Sequence, residues 1–390
     1  MTRQLDLCVF VDALGWNVVS DRSILSSLCP HRQPVQSVLG YSCTCIPTIL
    51  TGLKPQDHGH FAFFRYQPER SPFRALDWLD RLPSWLMRSH RVRSWLSRLV
   101  GAWLGYTGYF QLYNVPFKML PLLDYAEKKD LYKPGGITSG APTIFDELDR
   151  RGIPHHVSDW RASEATNVEA LERSIRRRDI RLGYLYLAGL DALLHRDGTR
   201  SKVCDAKLAQ YDHWLERLMD VAGAHYQDVR LHVFSDHGMA DVTRLVDIQG
   251  RLARCGLRQG EDFVGVFDST MARIWVLKDG ADESIRRVLA ESPEGRLLKN
   301  EELEFYGCLF PGHDYGQHIF LMEPGAMIFP NHMGPNPVAG MHGYDPAQAC
   351  SHAAYLGTHA PTVALNGLWD LKNLMLDACD PGGAPPPSVV

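Results

Sequence analysis

Three apolar runs in this 390-residue chain each end in a carboxylate. They are "LCVFVDALGW", which closes around Asp12, "RLGYLYLAGLD", which closes on Asp191, and "VRLHVFSDHGM", which carries Asp236 and His237. Runs this short and this apolar read as strands buried on both faces. Polar groups at such strand ends are costly unless something binds them. Amphipathic stretches separate the runs: "PTIFDELDRRGI", "VEALERSIRRRDI" and "AKLAQYDHWLERLMDVAGAHY". Apolar strands alternating with helices predict an α/β fold, a mostly parallel central sheet with helices on both faces. In such sheets the site lies beyond the carboxyl ends of the strands. Asp12, Asp191, Asp236 and His237 all fall there.

Other segments extend the pattern. "VQSVLGYS" reads as a strand, and "TCIPTILTGL" as a helix with Pro47 in its first turn and Gly52 near its end. "HHVSD" reads as a further strand. The core so defined comprises residues 1–65, 136–245 and 336–380. Two insertions interrupt it. Residues 66–135 are basic and aromatic, and residues 246–335 contain "MARIWVLKDG", "ADESIRRVLAES" and "HIFLMEPGAMIFP", a small α+β cap. The tail 381–390, "DPGGAPPPSVV" with the preceding residue, has the composition of a disordered segment.

Bulk properties exclude several classes. A net charge of -4 argues against a global nucleic-acid surface. The nine cysteines are odd in number and contain no CxxC pair, against both a disulfide framework and a thiolate zinc finger. No run of about 18 apolar residues suggests a membrane span. The apolar run at the N-terminus is too short for a signal peptide and is flanked by Asp6 and Asp12. The expected compartment is the reducing cytoplasm.

Three polar groupings can carry chemistry. Asp191 and His195 are four apart, so one helical turn puts both on one face, a spacing that can chelate a divalent ion. A surface Asp–His pair has the same spacing. Asp236–His237 follows an apolar strand directly; a helix N-cap at Asp236 with a passive neighbour explains it as well. His342 in "GMHGYDP" lies between glycines, free to project, as a loop histidine also would.

Taken in order, the motifs are more specific. Asp12, a hydroxyl-bearing helix start, Asp191-x-x-x-His195, Asp236-His237 and His342-Gly-Tyr follow one another, and "TGLKPQDHGH" reads as Thr-Gly-Leu-x-Pro-x-x-His-Gly. The chain resembles the alkaline phosphatase superfamily, most closely its type I phosphodiesterase/nucleotide pyrophosphatase branch, over residues 5–65, 140–245 and the stretch after 336. The resemblance implies an alkaline phosphatase-like core and two metal sites. Asp12, Ser42, Asp236 and His237 would hold one ion, and Asp191, His195 and His342 the other. Two such ions clamp the attacking and leaving oxygens of an in-line phosphoryl displacement. Mixed His and Asp ligands favour zinc, with manganese or iron as alternatives, over magnesium. The implied reaction is hydrolysis of phosphate esters, phosphodiester or pyrophosphate bonds, through a phosphoseryl intermediate. A phosphomonoesterase, a phosphotransferase or mutase, and an inactive metal-binding or membrane-docking protein are the alternatives.

Four side chains in "GYSCTCIP" are nucleophile candidates: Ser42, Cys43, Thr44 and Cys45. The family spacing, ten residues before Gly52, selects Ser42, at a helix N-terminus suited to phosphate. Thr44 is the competitor, with an N-cap as its other role. Here the sequence departs from the family: Thr44 stands where the proline two after the nucleophile belongs. A sulfatase-type formylglycine motif lacks its arginine. His58 and His60 are expected to pack or orient rather than ligate, and His332 either lines the pocket or is a loop histidine.

In "RSHRVRSWLSRLVGAWLG", Val92, Trp95, Leu96, Leu99, Val100 and Trp103 recur at helical spacing among Arg91, Arg93 and Arg98. The segment 84–105 is expected to be a lid that docks this stripe, tryptophans included, on the core. A helix lying on an anionic membrane is the other reading. The expected partner is a small-molecule or glycan-linked phosphate ester, not nucleic acid.

Overall fold

The structure, a computed structural model, describes residues 4–81 and 89–379. Its centre is a six-stranded sheet in the order His31–Val35, Ala353–Gly357, Asp228–Phe234, Gln4–Val11, Leu182–Leu187, His155–Val157. Gln4–Val11 pairs in parallel with Leu182–Leu187 and Asp228–Phe234, and His155–Val157 continues that direction. Ala353–Gly357 runs antiparallel to both of its neighbours, so the sheet is mixed.

The period-two alternation of a strand divides Gln4–Val11 between two cores. Leu5, Leu7, Val9 and Val11 pack with the helices Glu164–Arg177 and Lys202–His225 on one face. Cys8 and Phe10 pack on the other with Ser42–Thr51, Ile144–Arg150 and Leu371–Cys379. Helix starts are fixed locally. Thr143 and Asp146 form a reciprocal capping box, and the Ser163 and Ser201 side chains accept from the backbone three residues on.

A second, antiparallel sheet lies in the order Phe263–Phe267, Met271–Val276, His318–Met322, Gly295–Leu297. Ile285, Val288 and Leu289 of the helix Ala281–Ala290 pack in the same core as Phe267, Ile274 and Phe320. The basic aromatic insertion contributes the 3-10 stretch Arg74–Arg81 and the helix His90–Trp103. It shares an apolar cluster with Val264, Val266 and Trp275 of the second sheet. Among the described residues no helix is long and apolar enough to cross a membrane.

Several sequence expectations change. The strand expected in "VQSVLGYS" is His31–Val35, and the residues after Gln36 are loop. The following helix begins at Ser42, so Pro47 lies in its second turn, not its first. The N-cap position belongs to Tyr41, so Thr44 is not a cap. Most consequentially, the apolar stripe docks only in part: Val92, Leu96 and Val100 pack in the cluster shared with the second sheet, whereas Trp95, Leu99 and Trp103 are exposed, with Arg93 and Ser97 buried on the opposite side of the helix from them. Residues 84–88 of the expected lid and the tail 381–390 lie outside the described residues.

At the amino end of the sheet, Asp6 is fully buried between Arg181 (3.1 Å) and Arg230 (3.0 Å). Arg181 also donates to the carbonyls of Ala378 and Cys379, which ties the C-terminal helix to the sheet. Removing one partner of a buried pair leaves the other charge uncompensated. Asp6→Ala is therefore expected to cost about 3–5 kcal/mol in urea unfolding. Turnover should persist, since six residues of strand put Asp6 about 20 Å from Asp12.

Candidate metal centre and active site

All of the sequence-predicted site residues meet at the carboxyl end of the sheet. Asp12 ends Gln4–Val11, Asp236 and His237 follow Asp228–Phe234, and Asp191 and His195 sit one turn apart on the helix Gly189–Asp197. His342 directly follows the short strand Gly340–Met341, which pairs with Ala240–Asp241. That pairing lays the His342 ring on the His237 ring, with centroids 3.7 Å apart and planes within 10° of parallel, at 9°. The loops that bear these residues touch closely. A Cβ on Gly15 would come within 2.2 Å of the Gly238 Cα, so the approach of the Asp12 and His237 loops requires glycine.

Ser42 opens the helix Ser42–Thr51 with its Oγ 3.0 Å from His237 Nε2. The turn before it depends on Gly40, at φ 132, where a Cβ would strike the Thr44 side chain at 2.3 Å. Around His237 Nε2, Asp236 Oδ2 lies at 3.1 Å and Asp12 Oδ1 at 3.7 Å. Around Asp191 Oδ1, His195 Nε2 lies at 3.2 Å and His342 Nε2 at 3.7 Å. Two groups have ligand atoms mutually within 4.8 Å: Asp191, His195 and His342, and Asp12, Asp191 and His237. Asp191 belongs to both.

The surroundings orient these groups. His195 Nδ1 sits 2.8 Å from the Gly340 carbonyl, and His237 Nδ1 3.0 Å from that of Gly238. A carbonyl can only accept, so each Nδ1 carries a hydrogen and each Nε2 is the nitrogen that faces the carboxylates. The Tyr186 hydroxyl donates to Asp12 Oδ2 (2.7 Å), and the backbone N–H of Ala13 and of His237 donate to Asp236 Oδ1 (3.1 and 3.0 Å).

What remains is unbalanced. Asp12 Oδ1, Asp191 Oδ1, Asp236 Oδ2 and His342 Nδ1 are buried with no hydrogen-bond partner among the described residues. Burial, with Asp236 and Asp191 close by, raises the Asp12 carboxyl well above its usual range. Burial alone would lower His237, but Asp236, Asp12 and Asp191 outweigh it and lift it to about 9. His342 is pushed well down, by burial and then by His237. No lysine or arginine lines the cavity to compensate three carboxylates. Inward carboxylate oxygens without hydrogen-bond partners, beside three imidazoles, are the donor set that divalent transition metals take. The residues present therefore fit a divalent-metal site.

The competing nucleophiles are otherwise engaged. The Thr44 hydroxyl is fully buried and donates to the Phe61 carbonyl. Burial raises the Cys43 thiol strongly, with Glu127 and Asp268 adding to it, and burial raises Cys45 as well. Both thiols stay protonated at neutral pH. Cys43→Ala and Cys45→Ala should keep turnover within about threefold of wild type in a chromogenic phosphodiester assay. His58 is a packing residue bonded to the Thr48 hydroxyl (3.0 Å), and His60 is buried beside it. His332 is buried against Phe267 and is not part of the cavity wall.

In front of the centre lies a cavity of about 510 Å³. Its outer wall is aromatic, with Phe63, Tyr109, Tyr113, Tyr132, Trp160 and Tyr186. Phe63 lies 5.6 Å from Tyr109 and 5.5 Å from Tyr113 between ring centroids. Sequence reasoning missed Tyr186 and Glu127. Strand alternation puts Tyr184 and Tyr186 on the face of Phe10, and Phe10 and Tyr186 stack at 5.0 Å, a signal that was readable. Nothing local marked Glu127, whose Oε1 accepts the Tyr109 N–H (3.2 Å) in the same wall. Burial lifts Glu127 to about 8 from an ordinary 4.5. A raised carboxyl binds its proton in the folded state while the unfolded chain has lost it. Stability from this group is thus lost as pH rises from about 4.5 to 8. Glu127→Gln should gain on wild type across that window by up to a few kcal/mol, read from urea midpoints.

Comparison with known proteins agrees with this geometry. The sequence profile described as type I phosphodiesterase / nucleotide pyrophosphatase matches residues 34–345. The chain belongs to that family. Among solved structures, murine ectonucleotide pyrophosphatase / phosphodiesterase 5 superposes with a TM-score of 0.69 at 19% identity, covering 98% of this chain and 96% of that one. The human protein of the same name gives 0.69 at 17% identity, with the same coverage of both chains. An inactive threonine-to-alanine variant of the murine protein, in complex with AMP, gives 0.68 at 19% identity over 98% and 96%. No curated protein sequence matches the chain. The family members of known structure share its fold, an α/β architecture on a mixed sheet with an alkaline phosphatase-like core.

Proposed function

We propose that this family member is a metal-dependent phosphodiesterase with Ser42 as its nucleophile. The observation that carries the reading is the meeting of Ser42 with six Asp and His side chains, four of them with a buried unpartnered atom, beside one aromatic cavity. Asp12, Asp236, His237 and Ser42 would hold one cation, and Asp191, His195 and His342 the other, zinc fitting the mixed nitrogen and oxygen set best. Bound, the pair would neutralise the buried carboxylates, lower the serine pKa and stabilise the charge of the phosphoryl group in flight.

The chain's own residues do the rest. Ser42 Oγ attacks phosphorus in line, from a helix N-terminus whose free N–H groups favour phosphate. The bond from phosphorus to the departing oxygen breaks, and the serine proton ends on the departing alcohol. Water then cleaves the Ser42 ester, restores the hydroxyl and releases a monoester. Tyr186 holds Asp12, and the Gly340 and Gly238 carbonyls hold His195 and His237, so that these groups do not reorganise during the reaction.

The cavity supports a diester. Its wall presents aromatic rings and no cation to a second anionic group, so an uncharged substituent fits it better than a polyphosphate. The fold relative held with AMP, at 19% identity, carries a planar base of that kind. With metal-loaded protein, the chromogenic diester bis(4-nitrophenyl) phosphate should be turned over with kcat/KM at least about tenfold above that for 4-nitrophenyl phosphate, a difference of about 1.4 kcal/mol. A faster monoester would move the assignment to phosphomonoesterase, and no turnover of either with metal bound would make this an inactive family member.

A further inference from the structure

We propose that the helix His90–Trp103 is a docking surface for an anionic lipid bilayer. Of the nine large apolar side chains exposed among the described residues, five fall between positions 78 and 109. Trp95, Leu99 and Trp103 are four apart and form a ridge along one helix face, exposed by 61%, 48% and 64%. Trp78, exposed by 56%, stands on the stretch Arg74–Arg81, which packs into the same apolar cluster.

The helix is anchored by its other face, which explains why this ridge cannot turn inward. The Arg93 guanidinium lies 4.4 Å from the centre of the Phe117 ring and donates to the Val115 carbonyl (2.9 Å). Ser97 Oγ accepts the Leu112 N–H (2.9 Å), and Val100 is buried in the cluster. A Cβ on Gly101 would press on Phe110 at 3.1 Å, so the backbone is already as close as it can come. The apolar stripe of the helix is thus split: Val92, Leu96 and Val100 pack on protein beside Arg93 and Ser97, and Trp95, Leu99 and Trp103 face solvent.

Charge decides the occupant. The helix has no Asp or Glu, and Arg91 and Arg98 are exposed at the flank of the ridge. Among the described residues neither arginine has a carboxylate partner. Tryptophan favours the headgroup region of a bilayer, and basic residues beside it favour anionic lipid. A second copy of this chain would instead bring Arg91 and Arg98 against their own kind. The same anchors place Tyr109 and Tyr113 in the wall of the catalytic cavity, so docking would set that cavity beside the surface.

The test is co-sedimentation of the full chain with vesicles of phosphatidylcholine alone or mixed equally with phosphatidylglycerol, with tryptophan emission recorded in parallel. Binding to the mixed vesicles with a blue shift, weakened by salt, is expected. Arg91→Ser with Arg98→Ser should lower partitioning roughly thirtyfold. Trp95→Ser, Leu99→Ser and Trp103→Ser together should abolish it. Both variants should keep wild-type turnover of a soluble diester, which shows that they fold and separates this inference from the catalytic one. No sedimentation, equal binding to neutral vesicles, or a vesicle-free dimer lost in the triple variant would each overturn it.

Discussion

Ser42→Ala should lower kcat at least about a thousandfold, about 4 kcal/mol of barrier, while leaving the metal content close to that of wild type. The expectation follows from geometry. Ser42 Oγ is the hydroxyl that faces the ligand cluster, 3.0 Å from His237 Nε2, at the first position of its helix. Deleting it removes the atom that forms the covalent bond but leaves all six side-chain ligands. Thr44 cannot substitute, because its hydroxyl is committed to the Phe61 carbonyl on the buried side of the helix. The complementary variant, Thr44→Val, should lose about 1–3 kcal/mol of stability, since it leaves that carbonyl without its donor, yet retain the chemistry. Steady-state kinetics with elemental analysis of the same preparations checks both.

Removing the metal should have an effect of similar size, and it reverses the sign of one mutation. Chelation leaves Asp12, Asp191 and Asp236 together, with inward oxygens that lack hydrogen-bond partners and no lysine or arginine beside them. Turnover should vanish, and the protein should lose about 4 kcal/mol or more of stability relative to the metal-saturated form, as for a ligand present at a thousand times its Kd. In the chelated protein, Asp12→Asn removes a carboxyl raised by burial and then by Asp236 and Asp191. It should therefore melt higher than chelated wild type. With metal present the order inverts, because the variant has lost a ligand. Asp191→Ala should be the most damaging single substitution for metal content, since Asp191 takes part in both ligand groups. Unchanged melting of wild type with and without chelator would contradict a metal centre here.

Much of this was readable because the determinants are local. An apolar run ending in Asp12 or Asp236 predicts a strand whose tip faces the site, and Asp191 and His195 at one turn's spacing stay together in any helix. The antiparallel strand Ala353–Gly357 was not read. It follows no crossover helix and carries no carboxylate at its end, so neither signal marks it. The aromatic wall was also out of reach. Phe63, Tyr113 and Trp160 come from different segments, and their convergence depends on how the insertion packs on the second sheet. The helix His90–Trp103 illustrates a deeper limit. The apolar period predicts one docked face, but only Val92, Leu96 and Val100 dock while Trp95, Leu99 and Trp103 face outward, and periodicity alone does not give the direction. Buried hydrogen bonds of Arg93 and Ser97 settle that direction, and they form with partners about 15 to 22 residues away.

The most direct test of the central claim is to catch the covalent intermediate. Metal-loaded protein turning over bis(4-nitrophenyl) phosphate is quenched in acid, digested and sequenced by tandem mass spectrometry. A 4-nitrophenyl phosphoryl group on Ser42 is expected, absent from Ser42→Ala and from chelated protein. The same adduct on Thr44, or burst kinetics of 4-nitrophenol release with no adduct on Ser42, would contradict it.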